Sequence, residues 1–271
     1  MHDVHQREAV AAGRPWRLAR AALVAVLAVP ASAVSADHDM AMHDHQHVDA
    51  HEVAVGLAVE AASYDTEFYV GSYQGVTPSL TWMHGRFGAS TAITLYHLTQ
   101  NGLSRYGLGD TMLGGHAIVL ERDAMRAGLA IHIMLPTGSS LDNLGMGHTM
   151  AMPSLWASWR VSPWTVAASA GYSRALADLG GHNHGLAPLV DPMNMQELAF
   201  RAAADVDLGH GMQLGGRAQG GVPIGTGSTH VFGGGRFAWG TPRVSTGVEL
   251  QVGVAGDPFT VRGVLDTALR F

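Results

Sequence analysis

The sequence contains no cysteine and no lysine. Without cysteine there is no disulfide framework, no zinc ribbon and no thiol nucleophile. Without lysine, all sixteen basic residues are arginine. Charge of either sign is scarce: 14% of residues are charged, against roughly a quarter in an average soluble domain. The net charge of −6 leaves no basic footprint for nucleic acid. Beyond the N-terminal leader, no apolar run reaches the roughly 18 residues that a membrane helix needs.

Apolar residues nevertheless make up 47% of the chain, and glycine contributes 35 residues. Each glycine costs a helix interior about 1 kcal/mol relative to alanine. Glycine suits tight turns and closely packed strands instead. Apolar content spread in short pieces, with abundant glycine, points to strands.

Residues 1–36 have the layout of a leader and secretory signal peptide. Arg14, Arg17 and Arg20 precede an apolar run from Ala21 to Val29. Pro30 and the small-residue sites Ala31-Ser32-Ala33 and Val34-Ser35-Ala36 follow. The run is too short to span a membrane comfortably.

Residues 37–52 read DHDMAMHDHQHVDAHE. They offer nothing to bury, so they are expected to be disordered. His38, Met40, Met42, His43, His45, His47 and His51 are candidate metal ligands. Imidazole with carboxylate suits copper or zinc, and thioether adds a preference for Cu(I). A His-rich solvated linker is the plainer alternative. No cofactor is required.

From Val53 to Phe271 the apolar period is two. Leu198, Phe200, Ala202, Ala204, Val206 and Leu208 alternate with Arg201, Asp205 and Asp207. Val244, Thr246, Val248, Leu250 and Val252 oppose Glu249 and Gln251. A soluble sandwich also alternates, so three further features decide. Many runs reach about 10 to 14 residues, longer than the usual strand of about five or six and suited to a tilted membrane-spanning strand. Connectors alternate between long and short: the long ones fall at residues 63–75, 99–106, 138–148, 179–196 and 225–229. The C-terminal residues Val261, Gly263, Leu265, Thr267, Leu269 and Phe271 form one stripe, with Phe259 continuing it and Arg262, Asp266 and Arg270 opposite. This resembles the terminal-aromatic strand that the barrel insertion machinery of bacterial outer membranes reads. Trp82, Trp156, Trp159, Trp164, Trp239, Tyr172 and Phe237 are expected near membrane interfaces. The expected fold is all-β: a closed antiparallel transmembrane β-barrel of about 12 strands. It sits in the lipid of a bacterial outer membrane, with its N-terminal tail in the periplasm.

Two motifs add a resemblance. Gly107-Leu108-Gly109-Asp110 opens a strand, and Leu135-Pro136-Thr137-Gly138 closes the next before a long loop. Their order and spacing resemble the outer-membrane family named for the meta-pathway of phenol degradation. The resemblance covers Val53 to Phe271. It implies a transporter or channel for hydrophobic compounds and supplies no catalytic residues. The tail is similar instead to His/Met-rich segments of outer-membrane copper-resistance proteins, which makes copper or divalent-metal handling the alternative function.

Asp110 is expected at the external rim or turned inward at its glycine pair, because a carboxylate in lipid costs several kcal/mol. His116, His132, His148, Met112, Met134, Met146, Met150 and Met152 lie on neighbouring strands or their shared loop. They form either a soft-ligand lining or ordinary packing, and strand parity separates part of the set. His182, His184, Met193 and Met195 lie in the longest loop, as a surface metal contact or simply solvated. Ser and His residues show no spacing that marks a triad. There is no nucleophile elbow, P-loop or dinucleotide fingerprint. A barrel-embedded lipid hydrolase is therefore a distant third reading, and the protein is read as a non-enzyme whose ligand is a small molecule or metal ion.

Overall fold

A computed structural model describes residues 51–65, 70–176, 193–256 and 259–271. The leader, most of the tail (residues 37–50, with His38, Met40, Met42, His43, His45 and His47) and the His182–His184 pair lie outside the described residues.

The described chain is almost entirely strand. The segments are β1 (His51–Asp65), β2 (Val70–His84), β3 (Phe87–Ala92), β4 (Leu95–Gln100), β5 (Leu103–Leu108), β6 (Thr111–Arg122), β7 (Met125–Leu135), β8 (Met150–Val161), β9 (Trp164–Ala175), β10 (Gln196–Gly209), β11 (Met212–Pro223), β12 (His230–Gly240), β13 (Val244–Ala255) and β14 (Val261–Arg270). β3 and β4 both pair with β2 and are two halves of one wall strand. β5 and β6 are likewise halves of the next, broken at Gly109-Asp110. The wall thus has the expected twelve strands, all antiparallel. β1 pairs with β14 on one side and β2 on the other, so the sheet closes. Closure leaves no edge ladder open to another chain.

Alternation sorts the two faces as the sequence suggests. Val55, Leu57, Leu80, Leu129, Ile131, Leu155, Leu198, Leu214, Val248 and Leu250 lie exposed on the outside. Glu60, Asp205, Arg236, Glu249, Gln251, Arg262 and Asp266 are buried inside. On β10 the outer stripe from Leu198 to Leu208 spans ten rises of about 3.4 Å, or about 34 Å along the strand. At a tilt of about 40° that is about 26 Å of height, matching the apolar band of membrane barrels.

Five elements differ from expectation. β1 begins at His51, so His51 and Glu52 belong to the wall and not to the tail; the His51 ring stacks on His84 with centroids 4.2 Å apart. The expected long connectors at 63–75 and 99–106 are mostly strand: β1 and β2 are separated only by residues 66–69, and β4 and β5 by Asn101-Gly102. There the wall stands clear of the apolar band and its outer face turns polar. His97 Nδ1 lies 2.7 Å from Gln74 Oε1, and the Thr99 and Ser104 hydroxyls are 3.3 Å apart. The inner face carries Ala62, Tyr64, Tyr73, Tyr96 and Leu98 instead, so the apolar stripe changes face and the regular alternation breaks. The other long connectors, at 136–149, 176–195 and 224–229, share one end of the barrel, joined by 256–260. Among the described residues, the connectors at the other end are the tight turns at 85–86, 123–124, 162–163, 210–211 and 241–243.

Trp156 faces inward, not to an interface. It shares a strand with Trp159 at opposite parity, so the two could not both face out. Its Nε1 donates to the Leu129 carbonyl at 3.4 Å and its ring covers Gly128. Phe259 leaves the outer stripe as well, because the strand begins only at Val261; its ring is buried inside.

Candidate functional site

Among the described residues, the closed wall encloses a lumen. One loop defines it. Residues 136–149, between β7 and β8, do not project away from the barrel; they fold back into it. The turn Ser140–Asp142 is capped by Ser139, whose hydroxyl accepts the Asp142 N–H at 3.3 Å. Beyond it the chain descends, burying Leu144, Met146 and His148.

Asp110 is what draws the loop in. The strand break at Gly109-Asp110 turns its carboxylate inward, one of the two positions expected. Oδ1 accepts the Gly138 N–H at 3.0 Å and Oδ2 that of Met146 at 2.6 Å. Thr137 adds a hydroxyl bond to the Gly109 carbonyl at 2.9 Å. Gly145 is required beside the carboxylate, since a Cβ there would strike Asp110 and Gly138. The two short motifs that carry the family resemblance are thus the two halves of one clasp.

The loop divides two apolar clusters. Leu144 packs with Ala62, Tyr64, Tyr73, Tyr96, Leu98 and Phe259. Tyr64 fixes this cluster by donating to the Thr99 carbonyl at 2.7 Å. Met146 joins Met134, Met150 and Ala175, against which Met112, Met152, Met193 and Met195 pack. The expected soft-ligand residues Met112, Met134, Met146, Met150 and Met152 are therefore brought together. Met193 and Met195, expected at the surface, belong to the same cluster. The parity of β7 puts His132 beside Met134 on the inner face, against Gly114. His116 sits further along β6, over Gly88 and next to the Met83 sulfur. Among the described residues, no three His, Asp or Glu side chains converge on a common point suited to a metal.

Beneath the loop lies a cavity of about 360 Å³. Its walls differ in chemistry. β2 and β3 offer hydroxyls from Thr77, Ser79, Thr81 and Ser90. β6 and β7 offer thioethers. β12, β13, β14 and β1 carry a charge ladder that sequence parity located but did not connect. Arg236 bonds Asp266 and lies 3.9 Å from Glu249; Gln251 links Glu249 to Arg262, whose Nε donates to it at 2.8 Å; Arg262 reaches Glu60 at 3.8 Å. The Arg262 guanidinium also stacks over Phe259 and Phe232, 4.9 and 5.2 Å from their centroids. Three carboxylates, Asp266, Glu249 and Glu60, are paired or bridged with two guanidiniums, Arg236 and Arg262, so the wall is polar with one acid in excess.

No family model and no curated protein matches this chain. Solved structures do. The fold is similar to that of an outer membrane channel from Pseudomonas putida F1, with a TM-score of 0.60 at 11% identity over 84% of this chain and 100% of that one. It is similar to the KdgM porin, with a TM-score of 0.54 at 9% identity over 80% of this chain and 99% of that one. The translocator domain of the autotransporter NalP from Neisseria meningitidis gives 0.51 at 11% identity, over 87% and 92% of the two chains. At such identities the likeness is one of fold: this chain is a closed β-barrel of the outer-membrane type.

Proposed function

We propose that the protein is an outer-membrane channel for a small, sparingly water-soluble organic compound, related to the family of the meta-pathway of phenol degradation. The observation that carries the reading is the inward loop. It replaces an open aqueous mouth with a constriction of Leu144, three tyrosines, Phe259 and methionines above a cavity of about 360 Å³, a volume within the usual range for small-molecule sites. Hydroxyls and a charge ladder of paired groups below it would keep water in the lumen. The end with long loops faces outward and the end with tight turns faces the periplasm.

The test is reconstitution of the full chain in liposomes. Phenol and toluene should equilibrate faster than across protein-free lipid, and a sugar of similar size should not. Barrels that admit sugar and aromatic compound alike, or neither, would overturn the reading.

A further inference from the structure

The outer and inner faces choose their apolar residues differently. Leu, Val, Ile, Phe and Trp dominate the large hydrophobics exposed on the outside, where Met125 is the single methionine. Seven of the ten methionines among the described residues instead gather in one lumenal cluster. Where only apolarity is needed, this chain uses branched and aromatic side chains. The thioethers are concentrated where solutes must pass.

Their arrangement suits convergence. Met150 and Met152 are two apart on β8, so both point inward. Met112 of β6 is directly opposite Met134 of β7, and Met134 opposite Met150 of β8. Met146 and Met193 close the group from the two flanking loops. Each of those loops is pinned by a carboxylate: Asp110 accepts the Met146 N–H, and Glu197 accepts that of Asn194 at 3.2 Å, between Met193 and Met195. Met112, Met134, Met146, Met152 and Met193 border the cavity, as do His132, Asp110 and Glu197. Soft sulfur donors, one imidazole and two nearby carboxylates form a set that selects a soft monovalent cation over Zn(II) or Mg(II).

We propose that this methionine cluster is a binding site for a soft monovalent metal ion, Cu(I) or its analogue Ag(I), in the lumen. Thioethers from three adjacent strands and two loops supply the ligands, and His132, one step down β7, is the next donor towards the tight-turn end. The site is distinct from the N-terminal tail and does not depend on which organic compound the channel admits.

The experiment uses the full chain in detergent with its methionine methyl groups labelled with carbon-13. Ag(I) is titrated in nitrate buffer, and the methyl signals are assigned by single Met→Leu substitutions. Ag(I) should shift the Met134, Met146 and Met152 methyls together at one equivalent, in wild type and in M40L/M42L alike. The triple variant M134L/M146L/M152L keeps the apolar volume. It should bind Ag(I) at least roughly tenfold more weakly, since even outer-shell changes cost a metal site about that much. Shifts confined to Met40 and Met42 would place the ion in the tail and overturn the proposal. So would lumenal methyls that respond to toluene but not to Ag(I), which would make the cluster an adaptable apolar surface. The wild-type spectra decide even if the triple variant does not fold.

Discussion

The carboxylate of Asp110 holds the backbone N–H of Met146 at 2.6 Å, across 36 residues of sequence. Its other oxygen holds Gly138 at 3.0 Å. Hydrogen bonds to a charged acceptor are worth about 1.5–3 kcal/mol each. Asp110→Ala should therefore release the 136–149 loop while leaving the closed wall intact. Single-channel conductance in planar bilayers should rise severalfold, with unchanged thermal unfolding of the barrel. Equal conductance in variant and wild type would mean that the loop does not limit the pore.

Arg236 joins two acids, Asp266 and Glu249, inside the wall. Arg236→Ala leaves both carboxylates without it. Breaking a buried pair from one side costs about 3–5 kcal/mol, so the variant should unfold at markedly lower denaturant. Adding Asp266→Asn should recover part of that loss. Failure of the double variant to recover would show the loss to be one of packing.

At the C-terminus, Phe271 is 76% exposed on the outside. Its backbone closes the barrel: N–H to the Val53 carbonyl at 2.9 Å, with the Val53 N–H returned at 3.3 Å. Phe271→Ser removes no buried ring, so the folded barrel should be as stable as wild type once assembled in vitro. Insertion in cells should fall several-fold, read as the heat-modifiable fraction in outer membranes. Phe232→Ser, inside the lumen, should show the reverse pattern.

For the tail, a peptide covering residues 37–52 should bind Cu(II) or Zn(II) at neutral pH through His43, His45 and His47. Binding should be lost below about pH 6, because free imidazole protonates near 6.5. Met40 and Met42 should matter for Cu(I) and hardly for Zn(II). Isothermal titration of the peptide and its M40L/M42L form measures both effects.

How much of this was legible beforehand follows from which interactions are local. Strand parity is local, so Leu198 to Leu208 and Val244 to Val252 sorted themselves correctly, and twelve wall strands could be counted. Aqueous wall was not legible: around Gln74 and His97 the outer face is polar and the apolar side chains, Tyr73, Tyr96 and Leu98, lie on the inner one, so the stripe that marks the rest of the wall is interrupted. Trp156 and Phe259 failed for a related reason, since an aromatic ring marks an interface only once its parity and strand start are known. The site was half visible. The GLGD and LPTG motifs were found, but that Asp110 clasps the loop depends on a contact between segments distant in sequence. The methionines on β6 to β8 are visible as a candidate set in the sequence; Met193 and Met195 join them only because the segment leading into β10 lies against the end of β9, where the Ala175 N–H donates to the Met195 carbonyl at 2.9 Å.

Trp156 has an optical consequence. Four of the five tryptophans among the described residues, Trp82, Trp159, Trp164 and Trp239, are exposed on the outer wall, while Trp156 is 7% exposed and turned inward. Brominated acyl chains would darken the four outer indoles and spare the inner one. The residual fluorescence would then come from inside the barrel. The protein thus carries its own lamp for watching whatever enters the lumen, with no label attached.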